Sequence, residues 1–261
     1  MTFSHDLKQI KSNYQFKLRT ILDFINEIDI YIEKNLNEIK EAGLPSDPET
    51  TSEGKKLRDF FNEALDENND KKGEGKFKVT SPALSKFILV FIKKMKYSQF
   101  LNEMTLSYLI ACQEAMFKDY LQSILMNNTN CLKSGKDKIS YDDILGFDSM
   151  DELVKSIVKK TVDSIGYGST EDISKYYLEK FNIEFKDFRG WKIIVESSLR
   201  RNLVIHNKSL ANDSYCRRFS EFSVDDKIDI SGEYIKGVAE NLIEFNEFCL
   251  FTISQKFRIE T

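Results

Sequence analysis

Histidine is almost absent from this chain, which has only His5 and His206 among its 261 residues. Proline and glycine are also scarce, with 3 and 11 residues. Because both residue types end or weaken helices, their scarcity leaves room for long uninterrupted helices. No apolar run approaches the roughly 20 residues that span a membrane, and the charged start has no signal-peptide pattern. We therefore expect a cytoplasmic protein without a membrane segment.

The four cysteines do not form a metal-binding pattern, because no two of them have the spacing of zinc ligands and no second histidine lies nearby. A glycine-rich phosphate loop and internal repeats are also missing from the sequence. The net charge of −4 excludes a protein that coats nucleic acid through bulk positive charge. We expect no metal and no cofactor, and any RNA contact must come from a local basic patch.

Apolar residues recur at steps of three and four through most of the chain, which is typical of helices packed against a core. The 41% apolar fraction and 20 phenylalanines supply enough material for that core. The pattern therefore predicts an all-α fold, with residues 209 to 229 irregular and a short strand or turn at 219 to 224. The predicted helices cover residues 2–42, 55–66, 82–96, 102–127, 191–208 and 231–257. Two more helices open at the capping box Ser149–Glu152 and at Ser169–Asp172, and they run to residues 165 and 181.

The second histidine lies in a helical segment with two arginines. Arg201 is followed directly by Asn202, and Asn202 shares a helix face with His206 because the two are four residues apart. Arg201 lies off that face, but its long side chain can reach the same phosphate. Histidine titrates near neutral pH, and arginine carries a permanent planar charge that suits phosphate. These residue types are sufficient for cleaving RNA without a metal.

Two simpler interpretations exist for the same residues. A histidine in an apolar stretch is often a core residue with a satisfied partner, and an arginine pair is often only a solvated helix face. The chain would then be an all-helical scaffold in which His206 is buried and inert.

The hexapeptide from Arg201 to His206, Arg-Asn-Leu-Val-Ile-His, resembles the Arg-polar-x3-His signature of the HEPN superfamily, the helical ribonucleases of bacterial toxin and antiphage systems. The resemblance covers roughly residues 100 to 257, in the order long helix, two shorter helices, motif helix and closing helix. It implies a HEPN-like helical bundle at residues 96–261. Residues 1–95 have no counterpart in the family, and we expect them to form an additional N-terminal helical region with a long first helix. The alternative is that residues 1–95 and 96–261 form one continuous domain.

The resemblance implies a metal-independent endoribonuclease that leaves a 2′,3′-cyclic phosphate and a 5′-hydroxyl. It also implies a homodimer, because HEPN proteins pair their motif helices across a two-fold interface. Lys208 stands where some members have a tyrosine that an antitoxin modifies. Inhibition by such an antitoxin is therefore not carried over to this chain, and the identity of any antitoxin or defence-system partner is left open. The alternative is a non-catalytic module for nucleic-acid binding or dimerisation. The predicted site residues are Arg201, Asn202 and His206 for catalysis, Glu114, Arg200 and Asn207 in support, and Lys208, Arg217 and Arg218 for RNA binding.

Overall fold

The structure is a computed structural model, and it describes residues 2–41, 82–133, 140, 144–166 and 168–259. Two 3₁₀ helices, Thr129–Leu132 and Phe185–Asp187, accompany the α-helices. The α-helices, in chain order, are α1 (Phe3–Glu41), α2 (Pro82–Asn127), α3 (Met150–Gly166), α4 (Thr170–Phe181), α5 (Trp191–His206), α6 (Asp213–Cys216) and α7 (Gly232–Phe257).

The predicted all-α class is confirmed. Within the described ranges, the strand-like pairing is an isolated antiparallel bridge between Leu210 and Lys227. The segment at 219 to 224 forms turns, and α6 occupies part of the region predicted to be irregular. Among the described helices, none is both long and apolar enough to cross a membrane.

Helix α2 replaces two predicted helices with one. The sequence predicts an end near Lys96 and a new start at Asn102, but the helix continues from Pro82 to Asn127. The intervening residues break the apolar spacing without containing a glycine or proline, so nothing in them ends a helix. The hydroxyl of Thr105 donates to the Leu101 carbonyl at 2.7 Å, and a polar residue is thereby accommodated within the helix.

The described residues group into two compact units. Residues 2–25 group with the described residues from 101 onward, and the described residues between 26 and 100 form the other unit. The start of α1 therefore belongs with the helices of the first unit, where Leu7, Tyr14 and Leu18 are buried. The boundary predicted at residue 95 falls inside α2, and the division into 1–95 and 96–261 stays a prediction. The helix predicted at 55–66 lies outside the described residues.

An aromatic cluster lies at the centre of the first unit. Phe117 from α2 and Tyr177 from α4 meet Phe185 at ring distances of 5.4 and 4.8 Å, and Phe245 from α7 lies 5.6 Å from Phe185. Each buried ring of this size contributes roughly 1.5–3 kcal/mol. Helix α5 packs against α4 and α7, so this cluster holds the helices that support the motif.

Local signals define several helix ends, including the start of α4 that the sequence predicts at Ser169–Asp172. Ser169 caps α4 through a capping box with Asp172, and Asn182 ends that helix in the left-handed conformation at φ 54°. Ser231 caps α7 by accepting the Tyr234 N–H at 3.2 Å. These polar side chains satisfy backbone groups that a helix end leaves without partners.

Candidate functional site

Helix α5 turns one face to the core and another to the surface. Ile194, Ser197 and Leu203 are buried, whereas Asn202 and His206 are exposed. The helix ends at His206, and the chain leaves it through Lys208 and Ser209 at φ 54° and 62°. Two successive left-handed residues that are not glycine are uncommon. They turn the chain back beside the motif.

A surface pocket of about 430 Å³ lies on the exposed face of α5. Four of its lining residues recur at helical spacing on α5, and four come from the segment that folds back after it. Asn202 and His206 meet in this pocket, as their spacing predicts. The lining residues are Leu199, Asn202, Leu203, His206, Asn207, Asn212, Ser214 and Tyr215.

The side chain of His206 is available to a ligand. It is exposed and makes no hydrogen bond with any residue that the structure describes. The interpretation of His206 as a buried core residue with a satisfied partner is therefore wrong. An imidazole at a pocket wall, with both ring nitrogens unengaged, has the freedom that proton transfer to or from a ligand requires.

Arg201 occupies a different face of α5. Its guanidinium forms an ion pair with Glu114 of α2, and its Nε is buried without a hydrogen-bond partner among the described residues. Five residues of α-helix correspond to a rotation of about 140° between Arg201 and His206, and Arg201 does not line the pocket. The chain thus brings Asn202 and His206 together. It holds Arg201 against Glu114, which is one of the predicted supporting residues.

Arg200 points into the protein, where it joins a polar group that we call the Glu196 cluster: Glu196, Arg200, Tyr215 and Tyr234. The Arg200 guanidinium donates to the Glu196 carboxylate and lies 4.2 Å from the Tyr234 ring centroid. The hydroxyls of Tyr215 and Tyr234 donate to the two carboxylate oxygens of Glu196 at 2.7 and 2.6 Å. Arg200 Nη1 also donates to the Asp229 carbonyl at 2.8 Å.

The Glu196 cluster fixes the segment that folds back after α5. Burial, followed by the nearby Glu196 carboxylate, raises the pKa of both Tyr215 and Tyr234 well above the usual range, so both hydroxyls stay protonated donors. Tyr215 lines the pocket, and its hydroxyl is anchored to α5 through Glu196. The role of Arg200 is therefore to hold the pocket wall in place.

The remaining predicted residues have separate surroundings. Asn207 donates its side-chain amide to the Leu210 carbonyl at 2.8 Å and stabilises the turn after α5. Arg218 forms an ion pair with Glu171 of α4. Lys208 and Arg217 are exposed and form no ion pair within the described part of the chain. They are the predicted RNA-binding cations that remain available for a phosphate.

Sequence reasoning missed Glu196, Tyr215 and Tyr234, and the pocket residues Asn212 and Ser214. One signal was readable, because Glu196 and Arg200 are four residues apart on a helix, which is the spacing of an ion pair. Tyr215 and Tyr234 are 19 and 38 residues from Glu196. No local pattern indicates contacts at such separations.

No family model matches this chain. Comparison with curated proteins gives no match, and comparison with solved structures gives none. Across the part of the chain that the structure describes, histidine, cysteine and carboxylate side chains form no group of three suited to a metal ion. The geometry of the pocket and the motif are therefore the features of this chain that bear on its function.

Proposed function

We propose that this protein is a metal-independent endoribonuclease with its active centre at the exposed face of α5. The observation that carries the proposal is His206, which is exposed and has no hydrogen-bond partner among the described residues, in a pocket of about 430 Å³ that it shares with Asn202. A role in bacterial toxin or antiphage defence rests on the resemblance to HEPN proteins alone.

The reaction uses a nucleophile that RNA itself carries. The 2′-hydroxyl attacks the adjacent phosphorus while a base accepts its proton, and the 5′-oxygen leaves as it receives a proton from an acid. His206 suits either role because the reference pKa of histidine lies near neutral pH. The products are a 2′,3′-cyclic phosphate and a 5′-hydroxyl. Asn202 shares the pocket with His206, and we expect its amide to orient the phosphate or the imidazole.

Arg201 supplies the positive charge that stabilises the crowded phosphorane. Glu114 pairs with its guanidinium and limits its orientations. Within one chain Arg201 and His206 lie on different faces of α5, so the proposed site is completed in a homodimer. Two motif helices paired across a two-fold axis share two histidines and two arginines in one cleft.

The alternative is a non-catalytic module that binds nucleic acid or dimerises through the same surface. The exposed cations Lys208 and Arg217 favour binding. Binding to phosphate requires cations but no proton transfer. Replacing His206 therefore distinguishes the two functions, because it removes cleavage but leaves binding.

The test is incubation of the full chain with total RNA in EDTA. The wild type cleaves, His206→Ala does not, and the matched control His5→Ala, which removes the other exposed histidine, cleaves like the wild type. Products end in a 2′,3′-cyclic phosphate, and a 2′-deoxy strand is not cut. RNA retention by His206→Ala together with an inactive wild type would establish the alternative.

A further inference from the structure

The pocket beside His206 has a chemical character that phosphate binding does not explain. Its eight lining residues include no lysine, arginine, aspartate or glutamate. His206 and Asn202 occupy the part of the pocket where the proposed reaction handles the phosphate, and the remaining lining residues offer no charged group to a phosphate or a cation. That remaining part therefore suits a neutral group bound directly beside the phosphate.

The polar groups of the pocket match the edge of a flat heterocycle. Asn212 accepts the Tyr215 N–H through Oδ1 at 3.0 Å, which leaves its Nδ2 hydrogens to donate. Asn207 donates through Nδ2, which leaves its Oδ1 to accept. The Ser214 hydroxyl, like the Asn202 amide, makes no hydrogen bond with a described residue and can do both. Bases present such adjacent donors and acceptors on their edges, and asparagine amides pair with them.

The apolar part of the lining suits the face of the same ring. Leu199 from α5 is half-buried and contributes apolar surface, and the buried residues Leu203 and Tyr215 complete the apolar part of the wall. The volume of about 430 Å³ lies within the roughly 300–1,000 Å³ of small-molecule sites. Because the Glu196 cluster anchors Tyr215, the wall exists before a ligand binds, which reduces the entropy lost on binding.

We infer that this pocket binds one nucleobase of the RNA, the base next to the phosphate that is cleaved, and that Asn212 and Ser214 determine which base is accepted. The inference rests on the proposed ribonuclease function for the identity of the neighbouring phosphate. The pocket itself is tested by binding, which requires no cleavage.

The first experiment measures binding of the four 2′-deoxynucleoside 3′-monophosphates to the full chain by isothermal calorimetry and ligand-observed NMR. The wild type binds at least one of them more tightly than inorganic phosphate. Asn212→Ser keeps a side-chain oxygen as the cap for Tyr215 and removes the amide donors. It weakens the preferred nucleotide about three- to tenfold, as loss of one hydrogen bond does, and Ser214→Ala has a similar effect. Asn130→Ala is the matched control, because Asn130 is an exposed asparagine outside the pocket, and this variant binds like the wild type.

Binding of all four nucleotides no tighter than inorganic phosphate would overturn the inference. Equal affinities in the wild type, Asn212→Ser and Ser214→Ala would overturn it as well. A 2′-deoxy oligonucleotide that binds more tightly than the mononucleotides supports an RNA chain as the source of the base, whereas the reverse order makes a free nucleotide the ligand and refutes the RNA assignment.

The second experiment maps the cut sites on a random-sequence RNA. The wild type prefers the base that it binds best, and Asn212→Ser reduces that preference. If the wild type does not cleave but Asn212→Ser weakens nucleotide binding, the pocket stands and the ribonuclease function fails. If the wild type cleaves and neither binding nor base preference responds to Asn212→Ser or Ser214→Ala, the ribonuclease function stands and the base pocket fails.

Discussion

Two neighbouring arginines on α5 have opposite surroundings. The Arg200 and Glu196 side chains are only 15% and 11% exposed, and Tyr215 and Tyr234 complete their hydrogen bonding. The Arg201 and Glu114 side chains are 21% and 38% exposed. The two pairs differ mainly in the carboxylate that loss of the arginine leaves behind, because Glu196 is buried whereas water reaches Glu114. Adjacent positions in the motif therefore separate stability from proposed catalysis.

Arg200→Ala should lower the free energy of unfolding by about 3 kcal/mol, because the Glu196 carboxylate stays buried without its cation. Arg201→Ala should lower it by less than about 1 kcal/mol and should still abolish cleavage. Urea denaturation of both variants beside the wild type measures the difference. Equal losses of stability would show that the Glu196 cluster does not stabilise the fold more than the Arg201–Glu114 pair does.

His206→Ala should change the free energy of unfolding by no more than about 0.5 kcal/mol, since the side chain is exposed and makes no hydrogen bond to a described residue. Cleavage should fall by ~10²–10⁴-fold, the usual contribution of general acid–base catalysis. Thermal unfolding measures the stability of the variant, and single-turnover cleavage with the same preparation measures its cleavage rate. A large drop in melting temperature would make the histidine a structural residue.

At the scale of the helix, the cap of α4 couples stability to pH. The Ser169 hydroxyl donates to the Asp172 carboxylate at 2.6 Å, and the hydrogen bonds from Ser169 hold the pKa of Asp172 below its usual value. A lowered folded pKa stabilises the protein above the unfolded pKa of about 3.9, and that contribution disappears as the pH falls through the folded pKa.

Ser169→Ala should therefore cost about 1 kcal/mol at neutral pH, and the cost should shrink as the pH is lowered below about 4. Ser231→Ala is the matched control, because Ser231 caps α7 on the Tyr234 N–H without a capping carboxylate, and its cost should stay constant over the same range. Chemical denaturation across pH measures both. Parallel curves for the two variants would contradict the proposed coupling.

The helices that the sequence predicts well are those whose ends carry local chemistry. The Ser169–Asp172 capping box and the Ser231 cap can be read directly from neighbouring residues. The continuity of α2 could not be predicted from periodicity, because a break in the apolar pattern changes which residues face the core without preventing the backbone hydrogen bonds. The absence of helix-ending residues such as glycine and proline between Lys96 and Asn102 predicts the continuous helix better than the apolar periodicity does.

The candidate site divides in the same way. Asn202 and His206 were predictable because four residues on a helix place two side chains on one face. Asn212 and Ser214 were not, because their position depends on the fold-back of the chain after α5. That fold-back is secured by the bridge from Leu210 to Lys227 and by Arg200 donating to the Asp229 carbonyl, and both contacts join residues far apart in sequence.

At the scale of the whole molecule, the surface of α5 in one chain is incomplete for the proposed ribonuclease function. One chain offers His206 at the pocket and holds Arg201 on another face of the helix, beside Glu114. Ile205, between them in sequence, is 52% exposed. An apolar side chain in that position suits contact with a second copy, whose own motif helix would bring an arginine and a histidine to the same cleft.

The homodimer proposal predicts that Ile205→Glu produces a monomer without cleavage activity, because a charge at a self-complementary contact meets the same charge on the partner. Ile193→Glu is the matched control. Ile193 is 43% exposed on the same helix but lies about 18 Å from Ile205 along the axis, and its variant should stay dimeric.

Sedimentation velocity at micromolar concentration distinguishes the 30.4 kDa chain from its dimer. A wild type that sediments as a monomer while it cleaves RNA would show that one chain completes the site, and Arg201 would then have to leave Glu114 and reach round α5 to the phosphate.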